Sequence, residues 1–217
     1  MSDFATLREV MVDTQIRPSD VTKFPVLDAM LKIPRELFVP RDKREVAYIG
    51  ESVPLGNGRV VMDPRTLAKL LDALDVTQDE LVLDIGSGLG YSSAILSRLA
   101  EAVVALEDDA TRVAESEEAL QEMGLDNVCV LEGVLQEGAA QHGPYDVILI
   151  QGAVEVIPQP IVDQLKDGGR IGVIFANGMH GEARIGYKLD GRLTWRFAFN
   201  AVLPLLEGFR KVKEFIL

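Results

Sequence analysis

A short apolar run, Leu81–Ile85, passes straight into Gly86-Ser87-Gly88-Leu89-Gly90 and then into a helix-forming stretch that begins at Tyr91. An apolar run this short reads as a strand buried on both faces, the mark of a parallel sheet. The glycines let the backbone turn sharply and approach a ligand where a Cβ would collide. In open α/β sheets, ligands bind at the carboxyl ends of the strands, near the point where strand order reverses. The spacing then narrows the ligand. A dinucleotide fingerprint, G-x-G-x-x-G, would place its third glycine at position 91, which is Tyr91. The pattern present is Asp84-x-Gly-x-Gly-x-Gly, which disfavours a nicotinamide dehydrogenase.

The flanking sequence alternates in the same sense. Strands are expected at residues 102–106, 128–131, 145–150 and 170–175. Helices are expected at 91–99, 109–123 and 158–165, with Gly124 as a stop and Asp167-Gly168-Gly169 as a turn. This alternation predicts an α/β fold with a doubly wound, mainly parallel sheet. Asp190-Gly191 is a hairpin signal, so residues 183–189 and 193–200 are expected as antiparallel strands at one sheet edge. Upstream, Phe4, Leu7, Val10 and Met11 recur at helical spacing, and Val26, Leu27, Met30 and Leu31 suggest a second helix ended by Pro34. Asp63-Pro64 reads as an N-cap followed by proline at the first helical position. Residues 52–63, holding Pro54, Gly56 and Gly58, read as an irregular loop of the kind that lines sites. The expected division is an N-terminal helical extension and loop at 1–63 and one compact core at 64–217.

Composition excludes several classes. The chain has 217 residues with 47% hydrophobic content, enough for a core. It carries 22 Lys+Arg against 34 Asp+Glu, a formal charge of -12, a poor match to a nucleic-acid coat. The one cysteine, Cys129, lies between Val128 and Val130 and reads as a buried strand thiol. The two histidines, His142 and His180, lack metal-ligand spacing, so no metal is expected. The N-terminus lacks the pattern of a signal peptide, and no apolar run reaches the ~18 residues of a membrane span. A cytoplasmic location is the expectation.

Asp84, two places before the first glycine, resembles the acid of motif I in class I S-adenosylmethionine-dependent methyltransferases. Further elements resemble the protein-L-isoaspartate O-methyltransferase family. They are Ile33-Pro34-Arg35-Glu36-Leu37-Phe38-Val39, Ala47-Tyr48, Val53-Pro54-Leu55-Gly56-Asn57-Gly58, Pro144-Tyr145-Asp146, Gln164-Leu165-Lys166-Asp167-Gly168-Gly169-Arg170 and Val202-Leu203-Pro204-Leu205. The resemblance spans nearly the whole chain. It implies a Rossmann-like methyltransferase fold, S-adenosyl-L-methionine as cofactor, and carboxyl methylation of L-isoaspartyl residues in damaged proteins. It places the cofactor against Asp84, Gly86, Ser87 and Gly88. Glu107, about 20 residues on, is at the usual distance for an acid that accepts ribose hydroxyls. Gly133, Val134 and Gln151 are the further cofactor-side candidates.

On the acceptor side the resemblance points to Gly58, Arg59, Val60 and Met62. Here the chain departs from the family pattern G-x-G-x-T-I-S-x-P. Val60 stands at the threonine and Met62 at the serine, which leaves the catalytic position without its hydroxyl. Val134 stands where the family has the aspartate of G-D-G. Asp63 is expected to cap its helix rather than face the site. Arg59 and Arg65 could hold a carboxylate, although the ordinary place for either is the surface. The alternative reading is a cofactor-binding homologue that has lost repair catalysis or methylates another acceptor.

Overall fold

The computed structural model describes residues 3–178 and 180–211, so the last residues of the expected core lie outside the described residues. Two α-helices, α1 (Phe4–Met11) and α2 (Phe24–Lys32), open the chain. Asp3 caps α1 by accepting the Thr6 N–H. Tyr48 ties this region together. Its hydroxyl accepts from Arg8 Nε at 3.1 Å and from the Arg35 N–H at 3.1 Å, and it donates to Glu36. Arg35 is fully buried. Its guanidinium donates to the carbonyls of Ala47 (2.8 Å) and Val61 (3.5 Å) and stacks on the Tyr91 ring, 4.8 Å from the centroid.

The segment expected to be irregular is a hairpin. Strands β1 (Val53–Gly56) and β2 (Arg59–Val61) pair antiparallel around Asn57-Gly58. Both turn residues hold positive φ, +50° and +72°, the geometry that Asn-Gly favours in two-residue hairpin turns.

Helix α3 (Pro64–Leu74) follows, and Asp63 caps it as expected by accepting the Thr66 N–H at 2.9 Å. Then come β3 (Leu81–Ile85), α4 (Tyr91–Leu96), β4 (Ala102–Glu107), α5 (Ala110–Glu122), β5 (Val128–Glu132), β6 (Tyr145–Val154), α6 (Gln159–Gln164), β7 (Leu165–Asn177), β8 (His180–Leu189) and β9 (Arg192–Asn200). The seven-stranded sheet runs β5-β4-β3-β6-β7-β8-β9. Pairings from β5 through β7 are parallel, and the last two are antiparallel. The chain steps outward from β3 through β4 to β5, then returns to the other side of β3 with β6. The order therefore reverses beside β3, where the glycine loop begins.

Strand alternation sorts the core into two clusters. Val82, Val103 and Val147 join the helical side with α2, α3 and α4, whereas Leu83, Val104 and Ile148 join the opposite cluster with Ile161, Leu206 and Phe209. Helix α3 presents Leu67, Leu70, Leu71 and Leu74 inward, all buried. Leu74 sits over Gly172 of β7, where a methyl group on the glycine would lie 2.9 Å from its Cδ1. Arg170 closes the same end of α3 by donating to the Leu74 and Asp75 carbonyls and pairing with Glu80.

Three expectations need correction besides the hairpin. The Asp167-Gly168-Gly169 turn is absorbed into β7 as a register shift, with Tyr145 opposite Leu165 but Val147 opposite Arg170. Strand β6 runs on to Val154. Cys129 is exposed, on the edge strand β5.

Truncating Leu74 to alanine opens a cavity between α3 and β7. The expected cost is about 2–5 kcal/mol, read as a lower urea midpoint with an unchanged slope.

Candidate functional site

Asp84, next to last in β3, has no exposure to solvent. Its Oδ2 accepts from Ser92 Oγ and Ser93 Oγ, each at 2.6 Å, and its Oδ1 accepts from Gln151 Nε2 at 2.9 Å. One carboxylate thus joins β3, the first turn of α4 and β6. Burial raises the Asp84 pKa above the usual carboxylate range, while Ser92, Ser93 and Gln151 pull it part of the way back. The loop between β3 and α4 is held to the neighbouring strand as well. The N–H groups of Gly86 (2.7 Å) and Ser87 (3.2 Å) both donate to the Leu106 carbonyl. Gly86 and Gly88 have φ of +75° and +61°, a conformation that costs a side chain but not glycine.

Glu107 ends β4, also fully buried. It is aimed at the loop, since its Oε2 accepts the Gly88 N–H at 2.7 Å. Arg59 grips it with both nitrogens, Nη1 to Oε1 at 3.1 Å and Nη2 to Oε2 at 2.8 Å. Arg112 Nε (2.9 Å) and the Asp108 N–H (3.0 Å) add to Oε1. Asp108 takes Arg59 Nη1 at 2.7 Å and Arg112 Nη2 at 3.1 Å. Burial raises the Glu107 pKa and neighbouring Asp108 adds to this, against the opposing pull of Arg59 and Arg112.

The hairpin lies directly on the glycine loop. A methyl group at Gly86 would lie 2.8 Å from Arg59 Nη2, and one at Gly88 would lie 2.9 Å from Leu55 Cδ1. Between the hairpin and the loop, Val60, Val61, Met62 and Leu67 face Gly86, Ser87, Tyr91, Ser92 and Gln151 across a cavity of ≈ 10 Å³. Ser87 Oγ, on a residue that lines this cavity, and Arg59 Nε are buried without a hydrogen-bond partner. Outward, a cleft of ≈ 640 Å³ is lined by Gly58, Arg59, Asp108, Arg112 and Leu205. A second of ≈ 570 Å³ is lined by Asp108, Glu132, Gly133, Val134 and Leu135.

The candidate residues are therefore gathered around one crevice. Asp84, Gly86, Ser87, Gly88, Glu107 and Gln151 form its floor. Gly133 is tied to Glu107 by its N–H to the Glu107 carbonyl (2.9 Å), and half-exposed Val134 faces the outer cleft. Gly58, Arg59, Val60 and Met62 form the roof. One sequence expectation changes. Arg59 is not a surface residue, because the buried Glu107 draws it inward. Gln151 is buried, and its amide donates to Asp84. Arg65 stays on the surface and donates to Ser19 Oγ. The sequence reading missed Leu55, Ser92, Ser93, Asp108 and Arg112. The adjacent hydroxyls opening α4 were a usable signal, since a buried acid at the preceding strand end needs donors.

The crevice can present a carboxylate, Glu107, to a vicinal diol and a Cβ-free backbone to a bulky group. Its unmet Ser87 hydroxyl suits a polar ligand atom. These groups fit an adenosyl cofactor, provided that the hairpin gives way. A parallel sheet that reverses beside β3, with this loop and an acid on the next strand, defines the architecture of class I methyltransferases. Residues 7–185 match the family model for protein-L-isoaspartate(D-aspartate) O-methyltransferase. The chain belongs to that family. A Synechococcus sp. protein-L-isoaspartate O-methyltransferase is 38% identical over 168 residues, 77% of this chain and 69% of the relative. The Roseiflexus castenholzii enzyme of that name is 33% identical over 208 residues, 95% of this chain and 94% of the relative. The fold is similar to that of a Plasmodium falciparum protein provisionally assigned to the same enzymes, solved with S-adenosyl-L-homocysteine. The TM-score is 0.79 at 18% identity, covering 95% of this chain and 99% of that one.

Replacing Asp84 with alanine leaves three buried donors unmet and is expected to cost at least about 3 kcal/mol. Asp84→Asn costs less, because both serine hydroxyls can rotate to accept. The raised folded pKa also sets a pH signature. The folded state binds a proton that the unfolded chain has released, so stability falls as pH climbs from the ordinary carboxylate value toward the raised one. Urea titrations across pH are expected to show a smaller fall in Asp84→Asn.

Proposed function

We propose that the chain is an S-adenosylmethionine-dependent carboxyl methyltransferase that acts on L-isoaspartyl residues of damaged proteins and peptides. The observation that carries this reading is Glu107, buried at the end of β4 and joined to the Gly88 N–H at 2.7 Å. When bound, the cofactor supplies an electrophilic methyl group on a sulfonium. Asp84 holds the loop in place through Ser92, Ser93 and Gln151, while Gly86, Ser87 and Gly88 give the cofactor a close-packed floor. Glu107 takes the ribose hydroxyls, and Gly133 and Val134 line the adenine side. The protein's remaining task is alignment and exclusion of water, which can contribute several kcal/mol without a catalytic base. None is needed, because an acceptor carboxylate is already ionised at neutral pH. Asp63 caps α3 by accepting the Thr66 N–H.

Gly58, Val60 and Met62 form the acceptor side of the proposal. Val60 and Met62 give that side no hydroxyl, which favours a slow repair enzyme and keeps methylation of a less polar acceptor as the second reading. The partners are isoaspartyl-bearing chains, with nucleic acid disfavoured by the charge of -12. The cytoplasm is the proposed location.

Incubation with cofactor and an isoaspartyl peptide is expected to give a base-labile methyl ester and released methanol, with none from the aspartyl control. A blank in both would remove the repair reading. Val60→Thr restores one donor to a charged group, about 1.5–3 kcal/mol. It is expected to raise kcat/KM for the isoaspartyl peptide by about 10- to 100-fold.

A further inference from the structure

The Glu107 carboxylate has no acceptor capacity to spare. Two oxygens offer about four lone-pair sites, and five N–H groups already converge on them: Gly88 N, Asp108 N, Arg112 Nε and both Arg59 terminal nitrogens. A vicinal diol cannot bind there while all five remain. Three of the donors are fixed by the elements that build the site. Asp108 N adjoins the acid itself, Gly88 N belongs to the loop, and Arg112 stands in the first turn of α5. Arg59 alone comes from the hairpin, which forms its own two-stranded sheet apart from the main one.

The exchange is balanced in number. The two Arg59 N–H donors on Glu107 equal the two hydroxyl donors of a ribose. Arg59 also blocks by volume, since Nη2 lies against Gly86 as Leu55 lies against Gly88, and the remaining ≈ 10 Å³ holds no more than about one water. Among the described residues, Arg59 makes the only side-chain hydrogen bonds that tie residues 54–60 to the rest of the protein. At the hairpin base, by contrast, Ser52 Oγ accepts the Asp63 N–H and Arg35 reaches the Val61 carbonyl. The hairpin thus has an anchored base and a tip fastened through one guanidinium.

We propose that Arg59 is a built-in competitor for Glu107: its guanidinium stands in for the ribose diol, so the adenosyl ligand binds only as the hairpin tip leaves the glycine loop. This rests on the adenosyl reading of the crevice given above. It makes Arg59 a determinant of cofactor affinity that acts against binding. Asp108, partly exposed, is the partner that can keep Arg59 Nη1 after Glu107 is released.

Calorimetric titration of the full chain with S-adenosyl-L-homocysteine tests this. Arg59→Gln is expected to bind at least tenfold more tightly than the unmodified protein. Arg59→Lys, which keeps the charge but loses the two-pronged grip, is expected to fall between them. Circular dichroism and the ligand-induced rise in Tm accompany each titration, so that a variant with a lower Tm is still scored by a larger rise. Equal or weaker binding by folded Arg59→Gln, with the unmodified protein binding normally, overturns the competition and leaves the adenosyl reading standing. Absence of binding in all three proteins overturns both. Binding by Arg59→Gln alone supports the competition in its strongest form.

Discussion

The buried carboxylate of Asp84 is the point on which the crevice hangs. A charged or polar group so enclosed must find partners or destabilise the fold, and the partners here come from three separate elements. Ser92 and Ser93 fix the start of α4, Gln151 fixes β6, and the acid itself fixes the end of β3. The polar network therefore sets the spacing of the two strands between which the order reverses. The glycine loop is stretched between these fixed ends, and its N–H groups are left to point at Leu106 and Glu107. A local requirement for hydrogen bonding thus shapes the place where a ligand can enter.

Much of this was legible because it is local. Strand, loop and helix follow one another over residues 81–96, and the Asp63-Pro64 cap is a short-range rule that the structure obeys. The hairpin was missed although Asn57-Gly58 is a strong turn signal, because Pro54 and the flanking glycines outweighed a three-residue β2 with little alternation of its own. Cys129 was misplaced for a different reason. An apolar run identifies a strand but does not say whether it lies at the middle or the edge of the sheet. Position in the sheet is decided by pairing with β4, more than twenty residues away in sequence.

Arg59 illustrates what local pattern cannot supply. An arginine in a glycine-rich loop is ordinarily solvated, and nothing within several residues says otherwise. Its burial follows from Glu107, 48 positions along the chain, whose charge cannot stay enclosed without a counter-ion. The same logic accounts for Arg112 and Asp108. The two guanidiniums and the three acids Glu107, Asp108 and Asp109 form one cluster, and no member's position is intelligible without the others.

The segment after β9 returns to the carboxyl end of β6. Ala153 bonds to the Pro204 carbonyl and accepts from the Leu206 N–H, while Glu155 reaches the Phe209 carbonyl. Leu206 and Phe209 are buried in the cluster beneath that end of the sheet. This return has a meaning for biosynthesis. A nascent chain can pair β3 with β4 and β6 long before residue 209 leaves the ribosome, yet the rim of the crevice stays unfinished until then. Strands β3, β4 and β6 are thus synthesised ahead of the wall of the pocket, so premature release would leave that wall open.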